Sequence, residues 1–192
     1  MINDVKIWND FRSGESYALS HIYHQNAKFL YNYGRKFSDN HELVKDTIQD
    51  LFYDLIRNRK TLGETDNIRF YLMRSFRRKL LLNLKKETPN LFASFLESER
   101  QENNSIEESW IDQEIKTERE QMLEYYMKQL HPRQREILFY RYTCDMEYEE
   151  ICKIMELKYT SARMLMHRAL ESLRQLIGDI SLLPLLVLCW FQ

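Results

Sequence analysis

The sequence predicts an all-α fold: two small helical domains joined by an acidic linker, the second a helix-turn-helix domain. Three observations carry this expectation. Only four Gly and three Pro occur in 192 residues, too few for a turn-rich β-sandwich or a low-complexity chain. Leu, Lys, Arg, Glu, Met and Gln dominate, and all are good helix formers. Charge is unevenly spread although the net value is only −1. Residues 1–87 carry 16 basic against 11 acidic side chains, 88–125 carry 3 against 10, and 126–192 carry 9 against 8. A basic block, an acidic block and a balanced block argue for separate segments.

Taken in order, Trp8 to Ser16 reads as a short helix, a Gly break and a new helix start, with Ser16 as the candidate cap. Residues 17–33 place Leu19, Ile22, Tyr23, Phe29, Leu30 and Tyr33 at mostly helical spacing. Gly34 and the run Ser38-Asp39-Asn40 end that helix. Glu42 to Arg57 is a third helix, with Leu43, Ile48, Leu51, Phe52, Leu55 and Ile56 on one face and Lys45, Asp46, Gln49, Asp50 and Asp54 on the other. Lys60 to Asn67 is a polar loop, and Ile68 to Lys86 is a fourth helix. Residues 88–112 form the acidic, weakly structured linker. In 113–178 a long helix reaches Gln129, and Pro132 suits the first turn of the next. That next helix carries Ile137, Leu138 and Tyr142, and Tyr125, Tyr126, Phe139 and Tyr140 read as core. The expected divisions are therefore 1–87, the linker 88–112, 113–178 and a hydrophobic tail, 179–192.

Several function classes find no support in the sequence. No P-loop, Gly-rich nucleotide fingerprint or G-x-S-x-G occurs. His21 and His24 lack an acidic or Cys partner, so no metal is expected. Asp46, Asp50 and Asp54 form an i,i+4 row better suited to a partner than to acid–base work. The expectation is a non-enzyme with no cofactor and no small-molecule substrate. Cys144, Cys152 and Cys189 form no C-x-x-C and read as reduced thiols of a cytoplasmic protein. The start lacks a signal-peptide pattern, and the tail from Leu182 to Phe191, broken by Pro184, is shorter than the roughly 20 residues a membrane span needs.

Two segments carry DNA-binding chemistry. Residues 147–174 hold Ile151, Ile154, Met155 and Leu157, then Ala162, Leu165, Met166, Ala169 and Leu173. This is a short helix, Tyr148 to Met155, a tight turn near Glu156–Lys158, and a longer helix from Thr160 or Ser161 to Leu176. In a helix-turn-helix the second helix enters the major groove and its first turns reach base edges. Thr160, Ser161, Arg163, Met164, His167 and Arg168 are the expected exposed positions. The second segment is Ile68 to Lys86, with seven Lys or Arg and no acid. A surface helix normally mixes signs for i,i+4 support. Cations beside Phe70, Tyr71 and Phe76 suit a single strand, whose phosphates pair with charge and whose bases stack on rings.

In order and spacing these segments resemble the extracytoplasmic-function (ECF) subgroup of bacterial sigma-70 factors, in the style of the Bacteroidetes expansion. The resemblance covers about residues 5–178 and begins with Trp8, Phe11, Gly14, Ala18, Leu19, Tyr23 and Tyr31. VKDTIQDLF (Val44–Phe52) is similar to the helix that binds the clamp coiled coil of the RNA polymerase β′ subunit, which implies core-polymerase contacts at Asp46, Gln49, Asp50 and Phe52. IRFYLMRSFRRKLLLNLKK resembles the helix that melts and binds the −10 element, which implies DNA contacts at Arg69, Tyr71, Arg74, Arg77, Arg78 and Lys79. LHPRQREILFYRY resembles the opening of the β-flap-binding domain, and YEEICKIMEL with MHRALESLR the −35 reader. The sequence departs from the family at Arg78, where Asn is frequent, at His131, and at Glu156 in place of the turn Gly.

The resemblance implies an adaptor that binds core RNA polymerase and promoter DNA and directs initiation. It implies a pocket near Lys60–Asn67 that helps hold an unpaired base, and a linker whose charge suits a channel built for RNA. It also implies control by an anti-sigma factor, usually membrane-spanning. The alternative from the residues alone is a helix-turn-helix regulator with an N-terminal sensing domain. An acid-free basic helix and a docking helix are parts such a sensor does not need.

Overall fold

The computed structural model describes residues 3–87 and 125–177, and every regular element among them is helical. The chain divides into two units, Met1–Ala93 and Ser94–Gln192. The linker 88–112, the tail and Cys189 lie outside the described residues.

In the first unit, α1 spans Asp4–Ser13, α2 Ser16–Arg35, α3 His41–Asn58 and α4 Ile68–Glu87, with a 3₁₀ turn at Arg59–Thr61. The Asn3 side chain caps α1 by accepting from the Val5 N–H. Gly14, at φ 100°, closes α1 and returns its N–H to the Asp10 and Phe11 carbonyls. Ser16 is not the cap of α2, as the sequence suggests. It is the first helical residue, and the cap position is Glu15, which makes no side-chain bond. Asn40 caps α3, its Oδ1 accepting from the Glu42 and Leu43 N–H groups, each at 3.1 Å. The α4 start is held from two sides: Asn67 Oδ1 accepts from Phe70 N–H, and Asp4 Oδ2 accepts from Ile68 N–H, both at 2.9 Å.

The core of this unit follows the i,i+4 ridge of α2, where Ala18, Ile22, Asn26, Leu30, Tyr33 and Gly34 are buried. Two expected core positions move outward. Tyr23 is 46% exposed, and Ile56 of α3 is 42% exposed. Asn26 takes an interior place because its Nδ2 donates to the Ile22 carbonyl at 2.8 Å, so burial leaves no unmet amide donor there. Gly34 marks the closest approach of three helices. A Cβ there would sit 2.6 Å from Val44 Cγ1 of α3 and 3.2 Å from Phe76 Cζ of α4. Trp8 is fully buried, and its Nε1 donates to the Gly63 carbonyl at 2.8 Å, pinning the loop that precedes α4.

In the second unit residues 125–129 are helical, followed by α5 (Pro132–Leu138), a π turn (Phe139–Thr143), α6 (Tyr148–Met155) and α7 (Tyr159–Ile177). His131 is the N-cap of α5. Its Nδ1 accepts from Arg133 N–H at 3.2 Å, and Gln134 Oε1 accepts from His131 N–H at 3.1 Å. Gln134 Nε2 also donates to Ser172 Oγ, joining α5 to α7. Phe139 and Tyr140 are core as expected, with the Tyr140 hydroxyl donating to buried Glu136 at 2.9 Å. Tyr125 is not: it is 59% exposed. Cys144 and Cys152 are half-buried and in no disulfide, and burial, with Glu149 nearby, pushes the Cys152 thiol up.

The turn between α6 and α7 is made without glycine. Glu156 sits in the left-handed region at φ 57°, ψ 44°, where Cβ is crowded by the following carbonyl. Glu156→Gly is expected to stabilise this unit by about 1 kcal/mol, seen as a rise of the thermal midpoint in circular dichroism. An unchanged or lower midpoint would show that the Glu156 side chain compensates its own backbone.

Candidate nucleic-acid interface

On α4 the seven cations of Ile68–Lys86 do not form one free face. Arg74 and Arg78 are exposed one turn apart. Arg69 is exposed at the helix start and lies over the Phe29 ring, 4.9 Å from its centroid. Lys79 is ion-paired across the helix interface with Asp54 of α3 at 2.6 Å. Acid pairing is thus present, supplied by the neighbouring helix rather than by α4 itself. Arg77 faces inward and is only 8% exposed, so it does not share the outer face with Arg74 and Arg78. Phe76 is fully buried, and half-buried Tyr71 packs on Trp8 at 4.8 Å between ring centroids. Of the three rings only Phe76 is core, and Phe70 and Tyr71 lie half-buried at its edge.

A concavity of about 340 Å³ lies at the end of α3, lined by Ile56, Arg57, Asn58, Arg59, Lys60 and Thr61. It overlaps the expected pocket only at Lys60 and Thr61. Loop 62–67 is instead drawn onto the unit through the Trp8–Gly63 bond.

On α3, Asp46, Gln49 and Asp50 are exposed on one stripe. Phe52 is not on it: it is 6% exposed and meets the Tyr23 ring edge-on at 5.0 Å. The stripe continues with Tyr53, 64% exposed, which the sequence reading passed over. Its position, three and four residues beyond Asp50 and Gln49, is the signal that finds it. Thr47, fully buried behind the stripe, accepts from Asn83 Nδ2 of α4 at 3.0 Å. The acidic stripe and the basic helix are thus parts of one packed pair.

In the second unit the geometry is that of a helix-turn-helix. α6 ends at Met155 with Glu156 as its C-cap, and α7 begins three residues after that cap at Tyr159, one residue before the expected start. Ala162, Met166, Ala169 and Leu173 of α7 are buried, while Thr160, Arg163, Met164, His167 and Arg168 are exposed on the opposite face, with Ser161 half-buried beside them. Met164 is 56% exposed. His167 Nδ1 lies 3.6 Å from Glu171 Oε2. Arg163 and Arg168 have no ion-pair partner among the described residues, so two guanidinium groups stand ready for an anionic ligand.

A helix with a buried Ala, Met and Leu stripe, an outward cationic and hydroxyl face and a short helix packed against it has the form of a helix-turn-helix. Residues 120–173 match the family model described as sigma-70, region 4. The match takes in α5, the π turn, α6 and most of α7. No curated protein matches the chain. No helix among the described residues is long and apolar enough to cross a membrane, and no group of three or more His, Cys, Asp or Glu there could hold a metal.

Proposed function

We propose that the chain is a sigma factor of the extracytoplasmic-function type, a non-catalytic cytoplasmic subunit that carries core RNA polymerase to promoters. The observation that carries this reading is the outward face of α7 within a segment that matches sigma-70 region 4. In this reading α7 enters the −35 major groove, with Arg163 and Arg168 toward bases and phosphates and Thr160 and Ser161 beside them. The exposed Arg74 and Arg78 of α4 hold the −10 strand, with Arg69 at the edge. Asp46, Gln49, Asp50 and Tyr53 meet the polymerase clamp, and residues 113–178 form the −35 domain that also meets the β-flap. An anti-sigma partner and a Bacteroidetes-type lineage belong to the same reading.

The test is run-off transcription from genomic fragments with the host's core RNA polymerase. Discrete new start sites are expected with this chain and not without it. Asp46→Lys with Asp50→Lys is expected to lower those transcripts at least about tenfold, since each reversed contact costs about 1–3 kcal/mol. Binding of duplex DNA with no new transcript would favour the helix-turn-helix regulator instead.

A further inference from the structure

Tyr159 is the first residue of α7, and nothing in the motif pattern asks for an aromatic there. It is 47% exposed, and its ring packs on Tyr148, the first residue of α6, with centroids 5.7 Å apart at 59°. Both helices of the motif therefore begin at one ring pair. Tyr148 is braced from its other side by Arg141, whose guanidinium lies 5.9 Å from the ring centroid. Arg141 is itself fixed: it donates to the Met146 carbonyl at 2.9 Å and pairs with Glu147 at 3.3 Å. Arg163 of α7 lies close enough to act electrostatically on the Tyr148 phenol. Burial is the largest influence on that phenol and pushes its pKa up.

A half-exposed ring held by a braced neighbour loses little freedom on binding, which is how aromatic anchors gain affinity. Its place beside Thr160 and Arg163 puts it at the edge of the face that reads bases, where sugar and phosphate run. We infer that Tyr159, braced by Tyr148 and Arg141, is a DNA backbone contact whose hydroxyl donates to a phosphate and sets how α7 seats in the major groove. This rests on the reading of α7 as the groove-entering helix. A phosphate contact carries no sequence information, so its loss weakens every site alike, whereas loss of a base contact changes which sites are chosen.

The experiment is genomic run-off transcription by holoenzyme assembled from the full chain and the host's core polymerase. It compares the native chain with Tyr159→Phe, Tyr159→Lys and Arg163→Ala. Tyr159→Phe keeps the stacked ring and loses only the donor. It is expected to lower all start sites by one common factor of about ten, the weight of a hydrogen bond to a charged group. Tyr159→Lys, which supplies another phosphate donor, is expected to restore most of that signal, and Arg163→Ala to redistribute transcripts among sites. Native output from Tyr159→Phe, redistribution by it, or no recovery with Tyr159→Lys would each overturn the inference. Should the native chain give no start sites at all, the sigma-factor reading itself fails and takes this inference with it.

Discussion

Arg74→Glu with Arg78→Glu will abolish transcription by the holoenzyme, with start-site signal falling more than about a hundredfold. Both side chains are exposed on the outer face of α4, and neither has an ion-pair partner among the described residues. A hydrogen bond to a charged group contributes about 1.5–3 kcal/mol, so two lost contacts alone give that factor, before any repulsion from the new carboxylates. The fold should not notice, since substitutions on an exposed helix face usually change stability by less than about 0.5 kcal/mol. Arg77→Glu separates surface from interior. At 8% exposure it places a carboxylate inside the unit, with an expected loss of about 3–5 kcal/mol and a lower midpoint in urea. If Arg77→Glu instead leaves the midpoint alone and Arg74→Glu with Arg78→Glu leaves transcripts alone, the outer face of α4 is not the DNA face.

Trp8→Ala will destabilise the first unit by about 3–5 kcal/mol, the range for removing a large buried aromatic. Two losses add. A fully buried indole leaves a cavity beside Phe11 and Tyr71, whose rings lie 5.6 Å and 4.8 Å away. The Gly63 carbonyl also loses its donor, and with it the tether on the loop before α4. Trp8→Phe isolates the second loss: it refills most of the volume but cannot donate. It should melt only modestly lower than the native chain in a urea titration. Equal midpoints for Trp8→Phe and Trp8→Ala would show that the Gly63 bond, not ring volume, holds this corner.

The helical class and the α6–α7 motif were legible because short periodic signals decide them. Ala162, Met166, Ala169 and Leu173 declare a buried stripe from spacing alone, and the face left over names Thr160, Arg163, Met164, His167 and Arg168. What one helix does to another was not legible. Lys79 reads as a free cation until Asp54 arrives from a helix 25 residues earlier in the chain. Periodicity puts Phe52 on the apolar face, where the Tyr23 ring meets it edge-on, so the partner contact the resemblance implies there falls instead beside its exposed neighbour Tyr53. Asn26 looks like surface because composition prices amides as polar, yet its own helix supplies the acceptor. His131 shows the opposite limit: its capping role is local, but a ring nitrogen standing in for a Ser or Asp oxygen is an uncommon substitution for sequence rules to anticipate.

The pairing of Lys79 and the burial of Arg77 have a meaning in terms of counterions. Each lysine or arginine that meets a phosphate of single-stranded DNA releases about 0.7 of a condensed cation, and that release drives much of a protein's unaided hold on the strand. Of the four central cations Arg74, Arg77, Arg78 and Lys79, only the first and third can take part without breaking an interior packing arrangement or an ion pair. Burial of one and pairing of another thus halve the counterion release that the centre of α4 could supply on an open strand. In the proposed sigma-factor reading, that shortfall is met by a larger partner that brings the strand to the first unit.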